Sequence, residues 1–141
     1  MKLYIARHGE TQWNKEKRIQ GRADLEMNEN GLSQVRAVAI GLADVKFDAV
    51  YSSPLKRALK TAQMISGTGN VIIDENVYEI DFGPLEGHKY GNIAHIPVSE
   101  LDEKLIKVRT FFGKPDKYIP FEGGETYDSL IKRAVVKLPL L

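Results

Sequence analysis

The sequence predicts an α/β fold with a mainly parallel sheet. Over the first half, short apolar runs alternate with segments of helical apolar spacing, in the order strand, helix, strand, helix, strand. Parallel strands joined by right-handed crossovers are the usual outcome of that order. The chain has 141 residues, enough to bury one core, and we predict a single domain spanning residues 1–141.

The first half divides into well-marked elements. Residues 2–6 are predicted to form a short buried strand, and the polar stretch from Gln12 to Asn30 is predicted to form a long, functional loop. Apolar positions at helical spacing from Gly31 to Leu42 predict a helix, and Phe47 to Tyr51 predicts the second strand.

The next helix has clear predicted ends. Ser53 is a suitable N-cap, Pro54 suits the first helical position, and Gly67 closes the helix. The run 71–73 then predicts a third strand. The carboxyl ends of these parallel strands should form one edge, where open α/β sheets bind their ligands.

The second half is less regular. A Gly- and Pro-rich loop is predicted from Asp81 to Gly91. A helix follows from about Ser99 to Phe112, capped by Ser99 and ended by Gly113. A last helix is predicted from about Glu125 to Val136, stopped by Pro139.

Composition narrows the function classes. The chain has 20 Lys and Arg against 19 Asp and Glu, so we expect no nucleic-acid partner and no membrane-surface partner. Cysteine is absent, which excludes disulfides and thiolate metal sites and allows a reducing compartment. We find no signal segment or membrane-spanning stretch, and we expect a cytoplasmic location.

The motif Arg7-His8-Gly9-Glu10-Thr11 follows the first predicted strand directly. A cation and an imidazole beside a glycine that admits backbone amides suit an anion such as phosphate. A neutral imidazole can attack phosphorus if an acceptor, often a backbone carbonyl, holds its other ring nitrogen. The alternative is a structural histidine at a strand end.

Two more residues are candidates at the same predicted edge. Arg57 lies on the first turn of the helix after the second strand, where a guanidinium can bind phosphate oxygens bidentately. Glu79 follows the third strand, and a carboxylic acid there can protonate a leaving alkoxide. The alternatives are a solvated basic helix face and a solvated loop acid, and we accept the latter for Asp81 and Glu86.

These motifs together resemble the histidine phosphatase superfamily, phosphoglycerate mutase branch. The resemblance runs in order from residue 1 to about residue 133 and is carried by Arg7-His8-Gly9-Glu10-Thr11, Asn14, Arg18-Ile19-Gln20-Gly21, Asp24, Asn28, Gly31, Tyr51 to Ala58, Thr61-Ala62, Glu79, Asp81-Phe82-Gly83, Glu86-Gly87 and Gly123-Gly124-Glu125. It implies a three-layer α/β/α sandwich and no metal or organic cofactor.

The resemblance also assigns roles. It makes His8 the phosphate-accepting nucleophile and Glu79 the proton donor, with Arg7 and Arg57 binding the phosphoryl group. Asn14, Gln20 and Gly21 would bind the substrate, which is expected to be a small phosphorylated metabolite. The compact spacing around residues 18–21 resembles the broad-specificity and alpha-ribazole-type phosphatases, which favours hydrolysis of phosphomonoesters; mutase-type phosphoryl transfer is the alternative.

The sequence departs from the family at one point. The family has a second catalytic histidine in a His-Gly motif on a further strand, whereas here His88 and His95 follow Glu79 in an irregular loop and are interpreted as solvated. A metal site from Asp81, Glu86 and His88 is discounted, since nothing fixes their spacing.

The departure has expected consequences. We expect a fold lacking its C-terminal strand and helix, reduced activity, and self-association as a homo-oligomer through an exposed sheet edge. A non-catalytic phosphate-binding remnant and a truncated product without an independent role are the alternatives.

Overall fold

The computed structural model describes residues 2–91 and 93–135. The described elements, in chain order, are α1 (Gln12–Lys15), α2 (Glu29–Gly41), β1 (Tyr51–Ser52), α3 (Lys56–Ser66), β2 (Ile72–Ile73), α4 (Glu103–Gly113) and α5 (Tyr127–Val135). Short 3₁₀ turns lie at Glu75–Val77, Gly83–Leu85, Ile93–His95, Val98–Glu100 and Pro115–Lys117. The described residues form two compact units, one from 2–12 and 24–78 and the other from 13–23, 79–91 and 93–135.

The first unit contains a two-stranded parallel sheet. Tyr51 of β1 is opposite Ile72 of β2, and Ser52 is opposite Ile73. The predicted parallel pairing of the second and third strands is therefore confirmed. β1 begins at the last residue of the predicted second strand, so the pairing is shorter than the apolar runs that predicted it.

Helices α2 and α3 pack against each other in this unit. The predicted helix from Gly31 is confirmed as α2, which begins two residues earlier because the side chain of Asn28 caps it. The predicted closure of α3 at Gly67 is confirmed by its left-handed φ of 67°.

The predicted cap of α3 is wrong. The helix begins at Lys56, after Ser53 and Pro54. The amide of Lys56, an N–H that the helix itself cannot satisfy, donates to Oδ1 of Asp24 at 2.8 Å. A distant carboxylate therefore replaces the local serine cap.

The predicted buried strand at residues 2–6 is also wrong. In the described part of the chain this segment has no regular secondary structure, and its side chains are exposed, with Ile5 at 89%. A strand is defined by hydrogen bonds to a neighbour, and an apolar run does not supply that neighbour. The exposure of these apolar side chains is the opposite of the predicted burial, and self-association through a sheet edge stays a prediction.

The second unit has an apolar core. Phe82 packs edge-to-face on Phe111, with ring centroids 4.8 Å apart, and Phe111 packs likewise on Tyr118 at 5.2 Å. The other buried members of this core are Ile19, Ile80, Leu85, Ile93, Leu101 and Val108. They come from both chain segments of the unit, so the core fixes residues near 19–21 against those near 80–86.

The predicted helices of the second unit are confirmed with different ends. α4 begins after Asp102, whose Oδ1 accepts from the amide of Leu105 at 2.8 Å, while Ser99 lies in a 3₁₀ turn. Asp102 is therefore the cap, not Ser99. α5 occupies the place of the last predicted helix; Val136 and Pro139 lie outside the described residues.

Candidate active site

The imidazole of His8 is held by its own backbone neighbour. Nδ1 lies 2.8 Å from the carbonyl oxygen of Gly9, which can only accept, so Nδ1 carries the proton. In the neutral ring, Nε2 is then the nitrogen with a lone pair. This is the hydrogen bond that an imidazole nucleophile requires.

A close backbone approach places this segment beside the start of α2. A Cβ on Gly9 would collide with the carbonyl oxygen of Gly31 and lie 2.7 Å from Sδ of Met27. A Cβ on Gly31 would collide with the backbone of Glu10. Both glycines are buried, and any side chain at either position would push the two segments apart.

Glu10 ties the same segment to the N-cap of α2. Its Oε1 accepts from Nδ2 of Asn28 at 2.8 Å, and its carbonyl oxygen accepts from the Asn28 amide at 2.9 Å. Oδ1 of Asn28 in turn accepts from the Gly31 amide at 2.8 Å. One side chain thus caps the helix and anchors the residues after His8.

Thr61 ties the segment to α3, which carries Arg57. The hydroxyl of Thr61 accepts from the Gly9 amide at 3.4 Å and donates to the Arg57 carbonyl oxygen at 2.7 Å. Thr61 and Arg57 are both buried, the arginine to 1% exposure. A buried guanidinium on the first turn of α3 is not a solvated basic face, so that alternative is excluded for Arg57.

Arg7 is exposed and lies beside a cavity of about 240 Å³. Arg7, His8 and Gly9 line it together with the apolar side chains of Val35, Val38 and Ile65. The first unit therefore contains three of the predicted site residues: Arg7, His8 and Arg57.

The other four predicted site residues belong to the second unit. Asn14 lies on α1, and Gln20 and Gly21 lie in the loop after it. A Cβ on Gly21 would lie 2.5 Å from the Ile80 carbonyl oxygen, so glycine is required where this loop crosses the backbone. The fourth residue, Glu79, is exposed, and its Oε1 accepts from the next amide, that of Ile80, at 2.9 Å.

Glu86 and Asp81 are not the solvated acids that we expected. Oε1 of Glu86 accepts from the Arg22 amide at 2.7 Å and Oε2 accepts from the Ala23 amide at 2.6 Å. Oδ1 of Asp81 accepts from the Gly83 amide at 2.8 Å. The carboxylate of Glu86 therefore fixes the residues that follow Gln20 and Gly21, a role that becomes visible only when residues 22 and 86 meet.

A second carboxylate missed by sequence reasoning is Glu125. Its side chain is 8% exposed and pairs with Arg133, Nε to Oε1 at 2.7 Å. The hydrogen bond from Arg133 is the main cause that lowers the pKa of Glu125, against the opposing effect of burial, and the same bond raises the pKa of Arg133. In the sequence, Glu125 was marked only by the Gly123-Gly124-Glu125 motif. That motif does not indicate that Arg133 is its partner.

Within residues 2–91 and 93–135 the structure holds no group of three or more side chains arranged to ligate a metal. None of the helices in the described residues is both long and apolar enough to cross a membrane.

Fold and site together define an α/β protein built around a hydrogen-bonded imidazole and a buried guanidinium. The chain belongs to the histidine phosphatase superfamily, branch 1, whose family model matches residues 3–138.

Named relatives give the same family. The chain is 38% identical over 140 residues to phosphoglycerate mutase-like protein 4 of Arabidopsis thaliana, covering 96% of this chain and 58% of that protein. It is 35% identical over 136 residues to phosphoserine phosphatase 1 of Hydrogenobacter thermophilus, covering 94% of this chain and 60% of that protein. This chain thus spans about three fifths of the length of the curated relatives it matches.

A solved structure gives the same fold. A phosphoserine phosphatase mutant from Entamoeba histolytica, in complex with phosphoserine, matches with a TM-score of 0.73 and 37% identity, covering 94% of this chain and 63% of that one. The predicted α/β class is therefore confirmed.

Proposed function

We propose that the protein hydrolyses small phosphomonoesters through a phosphohistidine on His8. Membership of the histidine phosphatase superfamily supports phosphoryl chemistry. A phosphoserine phosphatase among the relatives, and a structural neighbour that binds phosphoserine, support a small phosphorylated substrate. The activity and the substrate of the whole protein are part of this proposal.

The observation that carries the proposal is the hydrogen bond from Nδ1 of His8 to the Gly9 carbonyl oxygen, 2.8 Å long. It fixes the tautomer in which Nε2 has the lone pair that attacks phosphorus. The close approach of Gly9 to Gly31 and the hydrogen bond between Glu10 and Asn28 also support the proposal, because they hold the backbone around His8 in place.

The first chemical step transfers the phosphoryl group to histidine. Nε2 attacks phosphorus, the N–P bond forms as the ester P–O bond breaks, and the leaving alkoxide takes a proton. The family resemblance assigns that proton to the Glu79 carboxylic acid and assigns binding of the phosphoryl oxygens to Arg7 and Arg57. Placed positive charge is the main source of stabilisation in such a transition state.

The second step returns the enzyme to its starting form. Water attacks the phosphohistidine, the P–N bond breaks, and inorganic phosphate leaves. Glu79, now a carboxylate, accepts the proton from the attacking water and regains its acid form. By the same resemblance Asn14, Gln20 and Gly21 bind the rest of the substrate.

Hydrolysis of p-nitrophenyl phosphate and of phosphoserine by the 141-residue chain tests the proposal. His8→Ala should abolish turnover, and the exposed His95→Ala is the matched control that should retain it. When the reaction with a phosphate ester is stopped without acid, wild-type protein should carry a covalent phosphoryl group on His8. Equal turnover in wild type and His8→Ala would contradict the proposal.

Mutase-type transfer is the second candidate, favoured by the phosphoglycerate mutase-like relative. It differs in the acceptor of the second step, which would be an alcohol instead of water. Adding 3-phosphoglycerate or another hydroxyl acceptor during turnover separates the two. A phosphorylated acceptor formed at the expense of inorganic phosphate would establish transfer.

A non-catalytic phosphate-binding role is the remaining candidate. It predicts that inorganic phosphate raises the melting temperature while no ester is hydrolysed. Turnover that depends on His8 would exclude it.

The proposal also includes the domain organisation, the location and the self-association of the protein. One family model runs over residues 3–138, which supports a single histidine phosphatase-like domain. The lack of cysteine suits a cytoplasmic location. The exposed Leu3 and Ile5 support self-association, which sedimentation velocity would test.

A further inference from the structure

We propose that Arg133, neutralised by Glu125, is a positioning residue that orients the carboxyl group of Glu79. The inference rests on the proposed function, because it concerns the group assigned there as proton donor. Every contact used in it lies within the second unit.

Arg133 and Glu125 form a two-point ion pair that is largely buried. Nε of Arg133 lies 2.7 Å from Oε1 of Glu125, and Nη2 lies 2.9 Å from Oε2. The two side chains are 16% and 8% exposed. A bidentate pair of this kind holds the guanidinium in one orientation.

The pair is fixed to the backbone around Glu79. The Glu125 amide donates to the Asp81 carbonyl oxygen at 2.7 Å, and the Asp81 amide donates back to Oε2 of Glu125 at 3.3 Å. Nη2 of Arg133 donates to the carbonyl oxygen of Glu79 at 3.2 Å. Arg133 therefore reaches one particular peptide group, the one that joins Glu79 to Ile80.

That same peptide group holds the carboxylate. Its N–H, the amide of Ile80, donates to Oε1 of Glu79 at 2.9 Å. Because the peptide is planar, a hydrogen bond that fixes the direction of its carbonyl also fixes the direction of its N–H. Arg133 thereby sets the direction of the donor that the Glu79 carboxyl group contacts, and bonds at the two ends of one amide reinforce each other.

The charge of Arg133 belongs to a cluster of two guanidinium and two carboxylate groups. Glu125 neutralises it, and Arg22 adds a second cation 3.4 Å from Oε2 of Glu125 and 3.9 Å from Oδ2 of Asp81. Two guanidiniums and two carboxylates therefore balance.

The main test does not depend on turnover. Arg133→Met keeps the apolar stem and removes every donor, and the exposed Lys132→Met on the same helix is the matched control. We expect the Ile80 amide, followed by hydrogen exchange in NMR, to exchange at least about tenfold faster in Arg133→Met and unchanged in Lys132→Met. An unchanged Ile80 amide in a folded Arg133→Met would overturn the inference.

A second variant guards against a loss of folding. Removing Arg133 alone leaves Glu125 buried without its partner, so the double variant Glu125→Gln/Arg133→Met removes both charges. The amide side chain introduced at position 125 can still accept from the Asp81 amide through its oxygen. The same faster exchange at Ile80 is expected in this variant.

Turnover gives the functional readout. Alkyl phosphates such as phosphoserine need a proton on the leaving oxygen, whereas p-nitrophenolate leaves without one. We expect kcat on phosphoserine to fall by at least about tenfold in Arg133→Met, with KM unchanged and with p-nitrophenyl phosphate affected less than about threefold. Arg133→Lys, which keeps a cationic donor but not the planar two-point geometry of the guanidinium, should restore part of the loss.

The outcomes separate the inference from the proposed function. Equal losses on both esters would show a merely structural role and overturn the inference. Turnover that survives in His8→Ala would overturn the proposed function, while the exchange experiment would still decide the role of Arg133.

Discussion

Replacing Gly31 with alanine tests the close approach between α2 and the segment that carries His8. The added Cβ would lie 2.5 Å from the Glu10 nitrogen and closer still to the Glu10 carbonyl oxygen. Both are backbone atoms, so rotation of a side chain cannot relieve the contact. Either the start of α2 or the residues after His8 must move.

The change in the free energy of unfolding caused by Gly31→Ala is the sum of an unfavourable and a favourable contribution. Overpacking of a rigid contact costs about 1–3 kcal/mol. Alanine recovers up to about 1 kcal/mol through its higher helix propensity. We therefore expect Gly31→Ala to lower the free energy of unfolding by up to about 2 kcal/mol.

Gly41, the last residue of the same helix, provides the control. A Cβ there meets nothing within 4 Å. Gly41→Ala should show the propensity gain without the overpacking cost, so the two variants should differ by that cost, about 1–3 kcal/mol. At about 4 °C per kcal/mol, their melting temperatures should differ by about 4–12 °C.

Urea unfolding followed by circular dichroism measures this difference in the free energy of unfolding. Turnover of p-nitrophenyl phosphate, the activity proposed above, should fall in Gly31→Ala because the residues after His8 must move. A Gly31→Ala variant as stable as Gly41→Ala would refute the reasoning, since it would show that this contact does not constrain the two segments.

Three further predictions concern single polar side chains. Thr61→Val removes the buried hydroxyl between Gly9 and Arg57, so the free energy of unfolding should fall by about 1–2 kcal/mol; an unchanged urea midpoint would contradict this. Glu86→Gln weakens two hydrogen bonds to loop amides of 2.7 and 2.6 Å, and KM for phosphoserine should rise with little change in kcat. A lower kcat with an unchanged KM would contradict a role in substrate binding for the loop that contains Gln20 and Gly21. The pKa of Glu125 is lowered, chiefly by Arg133, so its ionised form stabilises the fold above the ordinary pKa of 4.5, and this stability is lost as pH falls through the lower folded value. The stability advantage of the wild type over Glu125→Gln should therefore shrink on acidification, and a difference independent of pH would contradict the assignment.

Sequence reasoning succeeded where the determining contacts are local. The left-handed Gly67 at the end of α3 depends on neighbouring residues only, and so does the hydrogen bond of His8 to the next carbonyl. Sequence motifs of this kind also carried the family resemblance.

Sequence reasoning failed where a partner comes from far along the chain. The segment 2–6 has a strand composition but gains no ladder in the described residues, and the start of α3 depends on Asp24, 32 residues before Lys56. The contact of Arg133 with the Glu79 carbonyl oxygen spans 54 residues. No local pattern encodes such pairings, because they arise only when the core brings the two segments together.

The double use of Asn28 has a kinetic consequence. Helix ends open far more often than whole domains unfold. Here the first turn of α2 and the residues after His8 share one side chain, which bonds both Gly31 and Glu10. Each opening of that turn therefore also releases the backbone next to the imidazole, so the amides of Gly31 and Asn28 should exchange with solvent at one common rate. The ordered backbone next to His8 then lasts only as long as the first turn of α2 stays closed.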